Sequence, residues 1–140
     1  MTGLFPSIKP VEPVKLVLTV NGTMALTREY ELLRTENGFV LSYYDGPWEF
    51  HQDTERDDCL EKRYEGDEAS YAELCRLLKK IRFASWNGFN KSNPHVLDGS
   101  SFTLRCELAD GRIVSAHGSN ARPLGYKDLM EWLRNTLDKS

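Results

Sequence analysis

The residues best suited to acid–base chemistry or metal binding are the three histidines, His51, His95 and His117. They fall in three different predicted elements, and their spacing is not that of a metal site or a catalytic triad. The sequence also contains no nucleophile elbow, zinc-binding pair, dinucleotide fingerprint or pair of catalytic carboxylates. It therefore favours surface or hydrogen-bonded histidines, and it predicts neither a metal nor a cofactor.

The segment from Trp86 to Asp98 is the first of two candidate sites for a small ligand. It contains Pro94, has little predicted regular structure, and carries the polar side chain of His95. Long connections of this kind often carry function. The competing interpretation is structural, because Trp86 and Phe89 directly follow a predicted buried helix and would fill the edge of the core. Both interpretations stay open.

Gly118-Ser119-Asn120 is the second candidate, because it precedes a predicted helix. Free N–H groups and the helix dipole attract anions at such a position, and Arg122 is the adjacent cation. An ordinary helix cap by Ser119 or Asn120 accounts for the same residues. If the two segments meet in the fold, the predicted small-ligand or anion site consists of His95, Asp98, His117, Ser119, Asn120 and Arg122.

A β-hairpin is predicted between these two candidates. Apolar and polar residues alternate from Phe102 to Leu108, as in a half-buried strand, and a second run from Ile113 to Ala116 follows Asp110-Gly111. A two-residue loop would divide the apolar residues of the hairpin between the two sheet faces. A three-residue loop with a left-handed Gly111 sets Val114 opposite Cys106 and gathers more apolar surface on one face, so we expect it.

Two Asn-Gly turns predict a three-stranded antiparallel meander on the N-terminal side. Its strands are Val14 to Val20, Thr23 to Thr35 and Phe39 to Tyr44. Cys59 to Glu65 is a candidate fourth strand, whereas residues 48–58 are ambiguous and their acidic run is typical of a solvated loop. Residues 1–13 contain three prolines and are expected to form an extended arm.

Two amphipathic helices are predicted. The first begins at Asp67 or at Ser70, which forms a capping-box pattern with Glu73, and it ends near Ser85. The second carries an apolar stripe from Tyr126 to Leu137 and follows the Gly118-Ser119-Asn120 corner.

The composition is that of one globular domain over residues 1–140. The formal net charge of −3 and the isoelectric point near 5.6 argue against a nucleic-acid or anionic membrane surface, since both need basic patches. No apolar run is long enough to span a bilayer. The three cysteines, Cys59, Cys75 and Cys106, lack metal-ligand spacing, and free thiols in a reducing cytoplasm are the simplest interpretation.

Four short pieces follow one another in the C-terminal third of the chain. They are Trp86-Asn87-Gly88-Phe89, Val96-Leu97-Asp98-Gly99, Asp110-Gly111 with Ile113, and Ala116-His117-Gly118-Ser119-Asn120 with Pro123. Together they resemble a pattern that recurs in small bacterial proteins of uncharacterised function. The resemblance implies a bacterial, soluble protein, and it carries over no catalytic residues because that family has no assigned activity.

These elements predict one α+β domain, with an antiparallel sheet of about five or six strands and two helices packed on one face. The other sheet face is the candidate contact surface, because Tyr and Arg are enriched in protein interfaces. We expect it to carry Arg28, Tyr30, Tyr43, Tyr44 and Arg105. The predicted function is a non-enzymatic protein-interaction or dimerising domain, and the alternative is a small-ligand or anion-binding protein or a weak enzyme.

Overall fold

The computed structural model describes residues 10–22, 26–47, 54–93 and 100–140. The strands of this part of the chain are β1 (Pro13–Asn21), β2 (Leu26–Thr35), β3 (Gly38–Pro47), β4 (Leu60–Asp67), β5 (Asn90–Ser92), β6 (Ser101–Leu108) and β7 (Ile113–Ser119). The helices are α1 (Glu68–Lys80) and α2 (Tyr126–Leu137), with short 3-10 helices at Thr54–Cys59 and Phe83–Trp86. The strands form one sheet in the order β4-β3-β2-β1-β6-β7-β5. The predicted α+β class is confirmed, with seven strands rather than five or six.

Strand β1 lies at the middle of the sheet and forms the centre of the core. It pairs antiparallel with β2 on one side and with β6 on the other. Leu16 and Leu18 of β1 are 1% and 0% exposed. Lys15 of the same strand points to the opposite face of the sheet and is exposed. The buried side chains of both helices join the same hydrophobic cluster as Leu16 and Leu18, so α1 and α2 cover one face of the sheet.

The predicted meander and the predicted hairpin register are both confirmed. Strands β1, β2 and β3 pair in sequence order as antiparallel neighbours. In the hairpin, Val114 lies opposite Cys106 and Ala116 opposite Leu104, with Gly111 at φ 90° in the left-handed region. The candidate fourth strand is also present as β4.

Helix α1 begins directly after Asp67, which is one of the two starts predicted from the sequence. Asp67 is the N-cap, and its carboxylate accepts a hydrogen bond from the Ser70 N–H at 2.9 Å, which lowers the pKa of Asp67. The alternative start at Ser70 is wrong. The helix also ends at Lys80 rather than near Ser85, because Arg82 adopts a left-handed conformation with φ 56° and a 3-10 helix follows.

The segment after Trp86 contains a strand that the sequence did not predict. Strand β5 pairs in parallel with β7 and forms one edge of the sheet. Its three residues, Asn90, Lys91 and Ser92, have no apolar alternation, so their extended conformation depends on the hydrogen bonds that β7 offers. The expectation of a linker without regular structure is therefore wrong over residues 90–92.

Gly118 is a position where the close packing of the fold can be tested. A Cβ added there would meet the carbonyl oxygen of Ala121 and the ring of Phe102, whereas a Cβ at Gly22 meets nothing within 4 Å. We expect Gly118→Ala to lower the free energy of unfolding by about 1–3 kcal/mol. Gly22→Ala is the matched control and should change it by less than about 0.5 kcal/mol. Urea unfolding followed by circular dichroism measures both, and equal midpoints for the two variants would contradict this packing.

Alkaline pH should destabilise the protein through the buried thiol of Cys106 and the partly buried phenol of Tyr43. Burial raises the pKa of Cys106 to about 12, and burial together with the nearby Asp45 raises that of Tyr43 to about 12. The unfolded chain releases these protons at the ordinary values of 9.0 and 10.0, so stability is present below those values and is lost as pH rises toward about 12. The urea midpoint should fall between pH 8 and pH 10.5, and Cys106→Ala should flatten that fall. A midpoint independent of pH over this range would contradict the buried positions.

Candidate functional site

The Gly118-Ser119-Asn120 corner does not begin a helix. Gly118 and Ser119 remain in β7, and Asn120 leaves the strand at φ 56° while its N–H donates to the Ser100 carbonyl at 2.8 Å. Helix α2 begins only at Tyr126, after Gly125 at φ 89°, and it has no side-chain cap. The predicted cap by Ser119 or Asn120 is wrong, because the chain needs the intervening residues to cross from the sheet to the helical layer. The corner therefore lacks the helix dipole that favoured an anion.

Arg122, the predicted cation of this site, is used within the fold. Its guanidinium donates to the Ser100 hydroxyl at 2.7 Å and to the Ala121 carbonyl at 3.0 Å. The same group lies 5.4 Å from the centre of the Phe102 ring and 5.2 Å from that of Tyr126. Arg122 thus holds the chain between β7 and α2 against the core.

The start of the predicted ligand-binding segment is held to β7 by its own polar groups. The Gly88 N–H donates to the Ser115 carbonyl at 2.8 Å, and the Ser115 N–H donates to the Asn87 side chain at 2.9 Å. The His117 N–H donates to the Phe89 carbonyl at 2.8 Å. A cleft of about 300 Å³ lies between these segments. Several of the polar atoms that line it already form the hydrogen bonds between residues 87–89 and β7.

The predicted ligand residues are only partly placed by the structure. His117 is exposed, and its Nδ1 lies 3.3 Å from the Thr103 hydroxyl. His95, Asp98 and His51 lie outside the described residues. Convergence of His95 and Asp98 with His117 and Asn120 therefore stays a prediction.

The predicted contact face is corrected for three of its five residues. Arg28, Tyr30 and Tyr43 lie on the face that the helices cover, since Tyr30 is opposite Leu18 in β1 and opposite Tyr43 in β3. Tyr30 is 3% exposed. Only Tyr44 and Arg105 lie on the other face, and Arg105 is exposed near Glu107 at 3.8 Å.

A partly buried ion cluster covers the β2 and β3 part of that second face. The 3-10 helix Thr54–Cys59 places Arg56 2.8 Å from Glu29 and 3.0 Å from Glu31, two carboxylates of β2. The Arg56 guanidinium also lies 4.1 Å from the centre of the Tyr44 ring, which explains why Tyr44 is 7% exposed. Burial lowers the pKa of Arg56, but its hydrogen bond to Glu31 and the charges of both glutamates outweigh this effect and raise it.

No element of the described chain covers the β1 and β6 part of the second face, which we call the uncovered half and which is mostly polar. A cleft of about 240 Å³ lies on β1 and β6, lined by Lys15, Val17, Thr19, Thr103, Arg105 and Glu107. The neighbouring side chains of β7, Ser115 and His117, are exposed. This surface lacks the aromatic anchors that the sequence suggested for it.

The most exposed large apolar side chain of the described chain is Leu124, at 93%. The other exposed large apolar residues, Val14, Leu33, Leu60 and Ile113, lie between 39% and 43%. Leu124 borders a cleft of about 320 Å³ lined by Ile81, Arg82, Ser85, Trp86, Phe89 and Pro123. We call Leu124 and these six residues the Leu124 surface.

The backbone under Leu124 is held firmly. The indole N–H of Trp86, a residue 2% exposed, donates to the Leu124 carbonyl at 3.1 Å. Gly125 follows at φ 89°, and a Cβ at Gly125 would meet the Ile81 side chain. The fold therefore presents Leu124 to solvent from a fixed backbone.

Comparisons with protein-family models, with curated proteins and with solved structures find no match for this chain. Within residues 10–22, 26–47, 54–93 and 100–140, no three or more His, Cys, Asp and Glu residues are grouped to hold a metal ion. No helix in those ranges has the length and apolar composition to cross a membrane. The resemblance to small bacterial proteins stays a prediction.

Leu124 was not singled out from the sequence. The available signal was the tripeptide Pro123-Leu124-Gly125, which places a large apolar residue in a turn directly before a helix. In such a position the side chain belongs neither to the alternating apolar residues of a strand nor to the apolar stripe of a helix. A single exposed leucine is ordinary, so the candidate contact site rests on the cleft that lies beside it.

The ion cluster makes a specific prediction about stability. Arg56→Ala leaves Glu29, which is 5% exposed, beside Glu31 without the guanidinium between them. We expect a loss of about 1–3 kcal/mol in the free energy of unfolding, less than for a fully buried pair because the Arg56 side chain is 26% exposed. The exposed pair Arg63–Glu65 is the control, and Arg63→Ala should cost less than about 1 kcal/mol. Similar urea midpoints for the two variants would show that the cluster does not hold the Thr54–Cys59 segment.

Proposed function

We propose that this chain is a non-enzymatic protein-interaction domain whose contact site is the Leu124 surface. The observation that carries the proposal is the 93% exposure of Leu124 beside a partly apolar cleft. Interfaces gain most of their binding energy from a few anchor residues that pack in well-fitting pockets at the centre of the contact. Here a protruding anchor and a pocket lie side by side.

The partner that this arrangement fits most directly is a second copy of the chain. In a two-fold dimer the same patch of both copies is in contact, so a protrusion next to a pocket on one copy meets a pocket next to a protrusion on the other. Leu124 of each copy would enter the cleft formed by Ile81, Trp86 and Phe89 of the other. Both exposed leucines are then buried at once.

The fixed backbone of Leu124 supports this use. Ordering a mobile loop at an interface costs free energy, and a segment that is already ordered avoids that cost. The Trp86 hydrogen bond and the left-handed Gly125 hold the segment before any partner arrives. The contact area is small, so we expect a reversible dimer with a dissociation constant of roughly 1 μM to 1 mM.

The setting that we propose is a bacterial cytoplasm. Cys75 and Cys106 are free thiols, as expected in a reducing compartment. The resemblance of the C-terminal third to small bacterial proteins supports the bacterial source. The net negative charge supports protein partners over nucleic acid.

Sedimentation velocity over a wide range of protein concentration tests the proposal. We expect Leu124→Glu to weaken self-association at least about 100-fold, because burying one leucine contributes about 1.5–3 kcal/mol and symmetry doubles the loss. The matched control is Ile113→Glu, which places the same charge on the uncovered sheet face at a residue 42% exposed. Its dimer should keep the parental dissociation constant.

Two results would contradict the proposal. A protein that stays monomeric up to about 1 mM would exclude the dimer, since a weaker association lies outside the expected range. A dimer that Ile113→Glu disrupts and Leu124→Glu does not would move the contact to the uncovered half of the sheet. Circular dichroism of both variants verifies that each remains folded.

A further inference from the structure

We infer that a further cleft, at the opposite end of the sheet from β5, binds a small organic anion. This cleft has a volume of about 210 Å³ and lies where the end of α2 meets the helix-covered face of β2, β3 and β4. It is lined by Arg28, Tyr30, Tyr43, Lys62, Arg134, Leu137 and Asp138. We call it the basic cleft.

The charges around the basic cleft favour an anion. Lys62 Nζ lies 3.3 Å from Asp138 Oδ1, so these two charges largely neutralise each other. The Tyr43 hydroxyl donates to the Asp45 carboxylate at 3.4 Å. Within the described part of the chain, no carboxylate lies within 4 Å of the Arg28 or Arg134 guanidinium, although Asp45 is opposite Arg28 in the pairing of β2 and β3. Both guanidinium groups line the basic cleft. Guanidinium groups bind carboxylate and phosphate groups through paired hydrogen bonds.

Hydrogen bonds at the end of α2 reduce its unfavourable effect on an anion. The last carbonyl groups of a helix carry partial negative charge when they have no donor. In this structure the carbonyls of Arg134, Thr136 and Leu137 accept hydrogen bonds from the N–H groups of Asp138, Lys139 and Ser140 at 3.0–3.1 Å. The Ser140 hydroxyl also donates to the Leu137 carbonyl at 2.6 Å.

The floor of the basic cleft suits a carbon skeleton. The rings of Tyr30 and Tyr43 lie 4.9 Å apart between their centres, and Leu137 closes the floor at 3% exposure. The volume corresponds to that of about seven water molecules. It is below the range of drug-sized ligand pockets, which begins at about 300 Å³. The ligand class is therefore a small organic anion with a flat apolar part and one carboxylate or phosphate group.

This site is independent of the proposed contact at Leu124. None of its seven lining residues belongs to the Leu124 surface. It also differs from the predicted anion site at Gly118-Ser119-Asn120, where Arg122 is already bound to Ser100. Failure of one proposal therefore leaves the other unaffected.

Isothermal titration calorimetry with benzoate, phenyl phosphate, inorganic phosphate and benzamide tests the inference on the full chain. Benzoate and phenyl phosphate carry both features of the ligand class, inorganic phosphate lacks the ring, and benzamide lacks the charge. We expect benzoate or phenyl phosphate to bind with a dissociation constant below about 1 mM, and at least tenfold more tightly than benzamide. The stronger of the two anions then distinguishes a carboxylate from a phosphate ligand.

Variants locate the site. Arg28→Gln and Arg134→Gln should each weaken binding at least tenfold, whereas Arg76→Gln, an exposed arginine of α1, should leave it unchanged. Arg134→Lys keeps the charge and should retain more affinity than Arg134→Gln. The inference is overturned if none of the anions binds below about 1 mM, or if Arg28→Gln and Arg134→Gln bind as the parent does. Binding that Arg76→Gln weakens equally would also overturn it, because the attraction would then come from general surface charge.

Discussion

The burial of Leu16 and Leu18 in β1 is the constraint on which the rest of the structure depends. These side chains are 1% and 0% exposed, and β1 pairs along its length with both β2 and β6. Because side chains alternate along a strand, the direction of Leu18 decides which residues of the neighbouring strands enter the core. It places Tyr30 and Tyr43 inside on one side and Leu104 and Ala116 inside on the other.

The same register turns Glu29 and Glu31 outward onto one half of the second sheet face. Glu29 is only 5% exposed, and a buried carboxylate is unfavourable unless a charge or hydrogen bonds compensate it. Arg56 compensates both glutamates, while the Thr19 hydroxyl also donates to Glu29 at 3.1 Å. The Thr54–Cys59 segment therefore covers β2 and β3. Within the described residues, the β1 and β6 part of this face and the edges of the helical layer remain accessible.

Much of this fold was predictable, because several of its elements have strong local signals. The alternation from Phe102 to Leu108, together with Gly111, predicted the hairpin register, and the two Asn-Gly turns predicted the meander. The direction of Tyr30 and Tyr43 was not predictable. Tyrosine fits either face of a sheet, and pairing with a distant Leu18 decides the outcome. The hydrogen-bonding groups of Ser119 and Asn120 fit a helix cap and a strand end equally well, so their sequence alone predicted the wrong one.

The candidate sites were less predictable than the fold for the same physical reason. Arg28, Tyr43, Lys62 and Arg134 come from three strands and a helix, and only the tertiary packing brings them to one cleft. Leu124 and Trp86 are joined by a single hydrogen bond across 38 positions of the chain. Neither arrangement has a sequence spacing of its own, so the sequence predicted neither site.

Hydrogen–deuterium exchange at low and high protein concentration identifies the surface that becomes protected when the protein self-associates. We expect slower exchange at high concentration in residues 81–89 and 121–126, with no change in β1 and β6. Protection of β1 and β6 instead, or exchange that does not depend on concentration anywhere, would contradict the proposed contact.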